Sequence, residues 1–212
     1  MTVRGRDVIV IGASAGGVEA LRSLAGGLPP DLPAAVFMVM HLSPTAPSTL
    51  PDLIARAGPL PAAHPPEDEA GTRFERRCIY VAPPGRHMVI EGDRVQAVRS
   101  ATGDHYRPGV DVLFRSAARH QRRHVIGVIL TGALDDGAEG LAAVKHRGGL
   151  AVVQDPADAQ FASMPQSAMH RAAVDHCVPL AEIPGLLARL VARDLEPERA
   201  ARARGETPSW RR

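Results

Sequence analysis

The segment Val8-Ile9-Val10-Ile11, followed at once by Gly12-Ala13-Ser14-Ala15-Gly16-Gly17, decides how this chain folds. An unbroken run of valine and isoleucine is typical of a strand that is buried on both faces. The residues after the glycines are apolar at helical spacing, namely Val18, Leu21, Leu24 and Ala25. We therefore predict a strand, a sharp glycine-rich turn that carries Ser14, and a helix.

The serine in this turn has three interpretations. A Gly-x-Ser-x-Gly turn between a strand and a helix exposes a nucleophilic hydroxyl beside helix N-terminal N–H groups, which can stabilise an oxyanion. Such a turn can also hold a phosphate, as in dinucleotide-binding folds, or it can bind nothing. The dinucleotide interpretation is weakened because Ser14 replaces the second glycine of that fingerprint. In addition, the next strand ends in His41, where an acidic residue for a ribose is expected.

Length and composition indicate a single cytoplasmic domain. The chain has 212 residues, of which 45% are hydrophobic, so it can bury a proper core. No apolar run approaches the roughly 18 residues of a membrane span, and no secretory segment precedes the first strand. The two cysteines, Cys78 and Cys177, lie in apolar segments and form no Cys-x-x-Cys pair, so we expect buried free thiols.

The charge pattern argues against a nucleic-acid partner. The formal net charge is +2, and the basic residues, all arginine except Lys145, are scattered along the chain. Nucleic-acid binding needs basic residues clustered on one face, usually with aromatic residues, and only 3% of this sequence is aromatic. We expect neither nucleic-acid binding nor membrane insertion.

Predicted strands and helices alternate along the chain. This alternation indicates an α/β fold, a doubly wound and mostly parallel sheet with helices on both faces. Two strands at 88–91 and 95–99, joined at Gly92-Asp93, predict an antiparallel hairpin at an edge of the sheet. The last helix is expected at 181–194. We assign residues 1–194 to one domain and residues 195–212 to a flexible, arginine-rich tail.

Three residues at the ends of buried strands can form one hydrolytic site. Ser14 follows the first strand, His41 follows the second, and Asp136 lies in the turn after the strand at 125–130. Because the carboxyl ends of parallel strands meet at one rim of a sheet, these residues can meet in space. His41 would activate the Ser14 hydroxyl, and a carboxylate would orient the imidazole and stabilise its charged form.

Other histidines have simpler interpretations. His120 and His124 have a spacing that could hold zinc, but Gln121-Arg122-Arg123 between them offers no catalytic glutamate, so we expect a basic helix end. His87, which follows Pro83-Pro84-Gly85-Arg86, is expected in a loop, although it could line a cleft.

In their order along the chain, the motifs resemble those of the catalytic domain of the CheB family, the protein-glutamate methylesterases of bacterial chemotaxis. The resemblance covers about residues 7–185 and implies a doubly wound α/β fold in which Ser14, His41 and Asp136 match the catalytic triad. The family's aspartate directly precedes the glycine that opens the next helix, which favours Asp136 over Asp135. The matching segments are Val10-Ile11-Gly12-Ala13-Ser14-Ala15-Gly16-Gly17-Val18-Glu19-Ala20-Leu21, His41-Leu42-Ser43-Pro44, Ile79-Tyr80-Val81-Ala82-Pro83-Pro84, Val110-Asp111-Val112-Leu113-Phe114-Arg115-Ser116, Gly127-Val128-Ile129-Leu130-Thr131-Gly132, Asp136-Gly137-Ala138-Glu139-Gly140-Leu141, Gln154-Asp155-Pro156 and Met164-Pro165.

The resemblance implies hydrolysis of glutamate γ-methyl esters on the cytoplasmic helical bundle of methyl-accepting chemoreceptors, with release of methanol. Some members of the family also deamidate receptor glutamines. In the implied mechanism His41 deprotonates Ser14 for attack, and water activated by His41 then frees the glutamate. The candidate oxyanion donors are N–H groups near Ala15 and Ala133. The resemblance implies no cofactor and no metal ion.

The sequence departs from the family pattern in several places. Ala15 replaces a common threonine, Met40 replaces a glutamine, and Ala133-Leu134 stands where Met-Gly is usual. The chain begins at its first strand, where the family usually carries a phospho-receiver domain, so we expect no activation by phosphorylation within the chain. Gln154-Asp155-Pro156 resembles CheB-type domains fused to receptor methyltransferases, which makes a methyltransferase a second expected partner.

Two classes of function follow from this sequence. The first is a serine esterase that acts on a protein substrate. The alternative is a binding module of the same fold that docks on a receptor or methyltransferase and is weak in catalysis. The intact set of Ser14, His41 and Asp136 favours the esterase, whereas the altered turn at Ala133-Leu134 leaves room for the binding module.

Overall fold

The computed structural model describes residues 6–41, 48–67, 70–99 and 107–203, with side chains as far as Arg193. The strands are β1 (Val8–Ala13), β2 (Ala35–Met40), β3 (Ala62–Ala63), β4 (Thr72–Arg73), β5 (Ile79–Val81), β6 (His87–Glu91), β7 (Arg94–Val98), β8 (Val125–Ile129), β9 (Leu150–Gln154) and β10 (His176–Val178). The helices are α1 (Gly17–Gly27), α2 (Leu50–Ala57), α3 (Val110–Gln121), α4 (Ala138–His146), α5 (Ser163–Arg171) and α6 (Ile183–Ala203), with single 3₁₀ turns at Arg122–His124 and Leu180–Glu182.

Seven strands form one parallel sheet in the order β10-β9-β8-β1-β2-β5-β3. The chain winds outward from β1 in one direction through β2 and in the other direction through β8. The strand order therefore reverses beside β1, which is where open α/β sheets bind ligands, beyond the carboxyl ends of the strands. This confirms the predicted doubly wound α/β fold and directs attention to the residues that follow β1, β2 and β8.

The sheet is buried on both faces because its central strands are apolar at every position. All residues of β1, β2 and β8 are buried. Alternate side chains of β1 enter different cores: Ile9 and Ile11 pack with α1, α2 and α6, whereas Val8 and Val10 pack with α3, α4 and α5. Two covered faces explain why these strands have no alternation of polar and apolar residues.

The predicted antiparallel hairpin is present, but it lies in a separate sheet. β6 and β7 pair with each other, and β7 also pairs with β4, in a three-stranded antiparallel sheet of order β4-β7-β6. The hairpin packs over α3: Met88 and Ile90 are buried in the same core as α3, and the Ile90 N–H donates to Ser116 Oγ at 3.0 Å. This burial against α3 is the reason that the hairpin does not extend an edge of the main sheet.

Other predictions need correction in detail. The short strands β3, β4 and β10 were not predicted, because two or three residues carry no usable periodicity. The last helix begins at Ile183 and continues to Ala203, so the backbone of the first part of the predicted tail is helical. Alanine, leucine, arginine and glutamate, which dominate this stretch, are strong helix formers. Residues 204–212 lie outside the described residues.

The cysteines are free thiols, but neither is buried as predicted. Cys78 is partly exposed and Cys177 is exposed. Both flank or occupy short strands towards the edges of the main sheet, where an apolar sequence segment does not ensure cover on both faces. Within the part of the chain that the structure describes, no helix is both long enough and apolar enough to cross a lipid bilayer.

The core beneath α3 provides a test of the fold. Phe114 is fully buried and packs between β8 and α4. We expect Phe114→Ala to lower the free energy of unfolding by about 3–5 kcal/mol, because it removes a large apolar side chain and leaves a cavity. Urea denaturation measures this change. Phe161→Ala is the matched control, since Phe161 is 44% exposed, and its cost should be clearly smaller. Equal losses in the two variants would contradict this account of the core.

Candidate active site

The turn between β1 and α1 presents Ser14. The Ser14 N–H donates to the Thr131 carbonyl at 3.1 Å, and the Ser14 carbonyl accepts from the Gly17 N–H at 2.8 Å. Gly16 has a φ of 73°, a left-handed conformation that favours glycine, and a Cβ there would lie 2.5 Å from the Gln160 side-chain oxygen. The glycine therefore allows both the tight turn and the close approach of the 155–162 loop.

His41 connects the serine to a carboxylate. It follows Met40, the last residue of β2, and its Nδ1 lies 3.0 Å from Ser14 Oγ. Its Nε2 lies 2.7 Å from Asp136 Oδ2, and the histidine side chain is only 16% exposed. The structure thus brings together all three residues that the sequence analysis placed in one hydrolytic site.

The two ring nitrogens of His41 are used in the opposite sense to the serine-protease triad, in which Nε2 faces the serine and Nδ1 faces the aspartate. A proton on Nε2 is donated to Asp136, which leaves the Nδ1 lone pair to accept the Ser14 hydroxyl proton. We assign this tautomer from the hydrogen-bond partners. The imidazole still lies between the serine and the aspartate, as in the serine proteases, so it can act as a general base.

Asp136 is held by the first turn of α3 as well as by His41. Its Oδ2 accepts the Val110 N–H at 2.7 Å, and its Oδ1 accepts the Asp111 N–H at 2.9 Å. Burial alone would raise the pKa of Asp136, but the hydrogen bonds from His41, Asp111 and Val110 together hold this pKa below its ordinary value. The carboxylate is therefore charged at neutral pH. Its neighbour Asp135 is exposed.

Thr131 and Gln154 brace the site, and sequence reasoning missed both roles. The Thr131 N–H donates to Gln154 Oε1 at 2.8 Å, and Thr131 Oγ1 accepts the Phe161 N–H at 2.8 Å. The same hydroxyl donates to the Ala15 carbonyl at 3.1 Å. These bonds join the end of β8 to the serine turn and to the loop after β9. The sequence carried one signal that could have identified these two residues, namely their position: Thr131 lies just beyond β8, and Gln154 is the last residue of β9.

The loop between β8 and α4 carries the altered pair Ala133-Leu134. Leu134 has a φ of 69°, in the left-handed region, and is 59% exposed. Its N–H donates to Ser163 Oγ at 3.0 Å, so α5 supports the loop. Among the described residues, no protein acceptor takes the N–H of Ala15 or Ala133. Both N–H groups are therefore available to an oxyanion.

Other predicted histidines do not join this site. His120 lies in the last turn of α3 and His124 in the 3₁₀ turn after it. Across residues 6–41, 48–67, 70–99 and 107–203, no three His, Cys, Asp or Glu side chains are placed to share a metal ion. His87 is not in a loop as predicted: it begins β6, is buried, and its Nδ1 accepts the Gly109 N–H at 3.1 Å.

A groove of about 510 Å³ lies beside Asp136, yet neither Ser14 nor His41 lines it. The lining of the groove contains two ion pairs: Arg171 contacts Glu139 at 2.5 Å, and Arg115 contacts Asp111 at 3.3 Å. A reacting ester must lie within reach of the serine hydroxyl. The Ser14 hydroxyl and the His41 imidazole lie outside this groove.

Comparison with known proteins identifies the family of this chain. Residues 9–187 match the family model described as CheB methylesterase. A Leptospira interrogans protein provisionally named protein-glutamate methylesterase/protein-glutamine glutaminase is 36% identical over 191 residues, which cover 90% of this chain and 97% of the relative. The protein-glutamate methylesterase/protein-glutamine glutaminase 2 of Anaeromyxobacter dehalogenans is 39% identical over 185 residues. That match covers 87% of this chain and 53% of the relative, so the chain spans about half the length of that protein.

A solved structure shows the same architecture. The crystal structure of the Thermotoga maritima CheB methylesterase catalytic domain superposes with a TM-score of 0.81 at 28% sequence identity, covering 89% of this chain and all of that one. The resemblance identified from the motifs is thereby confirmed. The chain belongs to the CheB methylesterase family.

Proposed function

We propose that this chain is a serine esterase that hydrolyses glutamate γ-methyl esters of chemoreceptors and releases methanol. The observation that carries the proposal is the continuous contact from Ser14 Oγ through His41 to the buried Asp136 carboxylate. A hydroxyl is a weak nucleophile unless a base lies beside it, and the geometry supplies that base together with a group that orients it. The names of the relatives support the substrate class.

The first half of the reaction forms an acyl-enzyme. His41 Nδ1 takes the Ser14 proton as Ser14 Oγ attacks the ester carbonyl, and the carbonyl oxygen becomes an oxyanion. The N–H groups of Ala15 and Ala133 donate to this oxyanion, where backbone donors stabilise developing charge without reorganisation. The tetrahedral intermediate collapses, the bond to the methoxy oxygen breaks, and methanol leaves with the proton from His41.

The second half regenerates the serine. His41 takes a proton from water, the hydroxide attacks the Ser14 ester, and Ser14 leaves with the proton that His41 returns. Asp136 stabilises the imidazolium that forms in both halves, which its charged state at neutral pH permits. The same steps applied to a glutamine side chain release ammonia, so we include deamidation in the proposal.

The partner that this proposal requires is the cytoplasmic helical bundle of a methyl-accepting chemoreceptor, which places the chain in the cytoplasm. A receptor methyltransferase is a second proposed partner, since it makes the ester that this enzyme removes. Leu134 and Phe161, large apolar residues that are 59% and 44% exposed, lie on loops joined to the serine turn through Gly132 and Thr131. They are available to contact the bundle beside the reacting glutamate.

The first test of this proposal removes the nucleophile or the base. Triad members act as a unit, so Ser14→Ala and His41→Ala should each lower kcat by up to about 10⁶-fold in a well-built site. The assay is methanol release from a methylated receptor cytoplasmic fragment. Ser23→Ala, at an exposed position on α1, is the matched control and should retain wild-type activity. Equal release by wild type and Ser14→Ala would reject the esterase and favour the binding module.

The second test separates two adjacent aspartates. Asp136→Asn should lower kcat by as much as about 10⁴-fold, the scale of loss for a triad carboxylate. Asp135→Asn should remain within about tenfold of wild type, since Asp135 is exposed and surface substitutions are usually mild. The kcat of both variants is measured in the same methanol assay. If the two results are exchanged, or if both variants are near wild type, Asp136 is not the carboxylate of the triad.

A further inference from the structure

The first turns of α3 and α4 exchange carboxylates. Asp136, two residues before α4, accepts the N–H groups of Val110 and Asp111 in the first turn of α3. In return, Asp111 Oδ1 accepts the N–H group of Gly137, which directly precedes α4, at 3.0 Å and that of Gly140, in the first turn of α4, at 2.7 Å. Each helix start is thus capped by a carboxylate that belongs to the other.

Neither helix could supply this cap locally. The residues that precede α3 and α4 are Gly109 and Gly137, which have no side-chain acceptor for the free N–H groups of a first turn. A carboxylate at a helix N-terminus is also favoured by the helix dipole. The reciprocal bonds therefore satisfy groups that would otherwise be left without a partner at the base of the site.

Close contact between the helices makes the exchange possible. A Cβ on Gly140 would lie 2.6 Å from Phe114 Cβ and 3.1 Å from the Asp111 Cα, so only glycine allows α3 and α4 to approach this closely. At this separation the short side chain of Asp111 reaches two N–H groups of α4. The contact therefore depends on the length of the Asp111 side chain as well as on its charge.

The surroundings of Asp111 hold its pKa above the ordinary value of an aspartate. Burial raises its pKa, and the negative charge of Asp136 raises it further, although the N–H group of Gly140 opposes this effect. Arg115 lies 3.3 Å from Asp111 Oδ2, and its positive charge partly compensates for these effects. The compensation is only partial because the Arg115 side chain is 55% exposed and solvent weakens the interaction.

We propose that Asp111 is a positioning residue of this esterase, which holds Asp136 against His41 by joining the first turn of α4 to that of α3. One residue performs both parts: its N–H binds the Asp136 carboxylate, and its carboxylate binds the segment that immediately follows Asp136. This inference rests on the proposed function, because Asp111 acts on the reaction only through Asp136 and His41.

The test measures kcat and KM for methanol release from the methylated receptor fragment, with the full chain. Asp111→Ala removes both acceptor bonds and should lower kcat about 10–100-fold with little change in KM, since small misplacement of a catalytic group is costly. Asp111→Asn retains an amide oxygen that can accept both N–H groups and should recover most of the activity. Asp52→Ala, an exposed aspartate in the first turn of α2, is the matched control and should resemble wild type.

A double-mutant cycle distinguishes positioning from general stability. In the Asp136→Asn background, Asp111→Ala should lower kcat by less than about threefold, because the group that it positions is already lost. If Asp111→Ala lowers kcat as much in the Asp136→Asn background as it does in the wild-type background, Asp111 acts independently of Asp136 and the inference is overturned. An Asp111→Ala variant that is folded, as judged by thermal unfolding, and fully active would also overturn it.

If Asp111→Ala does not fold, Asp111→Glu is decisive. It retains the charge but adds a methylene to a contact that the helix separation fits to aspartate. We expect at least a fivefold loss of kcat with KM unchanged, and wild-type kcat would reject the inference. Ser14→Ala in the same assay separates the two proposals: an active Ser14→Ala rejects the esterase itself, whereas an inactive one beside a fully active Asp111→Ala rejects only the role of Asp111.

Discussion

The Asp136 carboxylate lies buried where the end of β8, the start of α3 and the start of α4 meet, and a buried charge is stable only when donors replace water. Three donors do so here: His41 Nε2 and the N–H groups of Val110 and Asp111. This compensation keeps the pKa low and sets the direction of the imidazole ring, which in turn faces Ser14. The geometry of the whole site depends on that one held carboxylate.

The parallel sheet makes such an arrangement accessible to residues far apart in the chain. β1, β2 and β8 are neighbours, and their carboxyl ends open on one rim beside the reversal of strand order. Two apolar cores, one on each face of the sheet, hold the helices in place. The small antiparallel sheet adds a further layer over α3. His87 in that sheet accepts the Gly109 N–H, so even this added layer contacts the residue that precedes the donors to Asp136.

Much of the fold followed from local patterns. The uninterrupted apolar runs at β1, β2 and β8 correctly predicted a parallel sheet covered on both faces, and the hairpin was recognised from its alternation. The sequence analysis was wrong on three points: it placed the hairpin at an edge of the main sheet, it expected both cysteines to be buried, and it expected His87 in a loop. Each of these depends on which surface covers a segment, and a segment's own residues do not specify its cover.

The sequence alone determined which side chains stand at the strand ends. Ser14 and His41 follow apolar runs, and Asp136 lies in the turn after a third such run, so the residue pattern is sufficient to propose the set. The resemblance to the CheB family favoured Asp136 over Asp135. Only the tertiary structure decided that Asp136 faces His41 while Asp135 is exposed, which ring nitrogen meets each partner, and that Asp111 caps α4. The reason is physical: these outcomes depend on backbone N–H groups, which every residue except proline carries, and on helices brought together by packing.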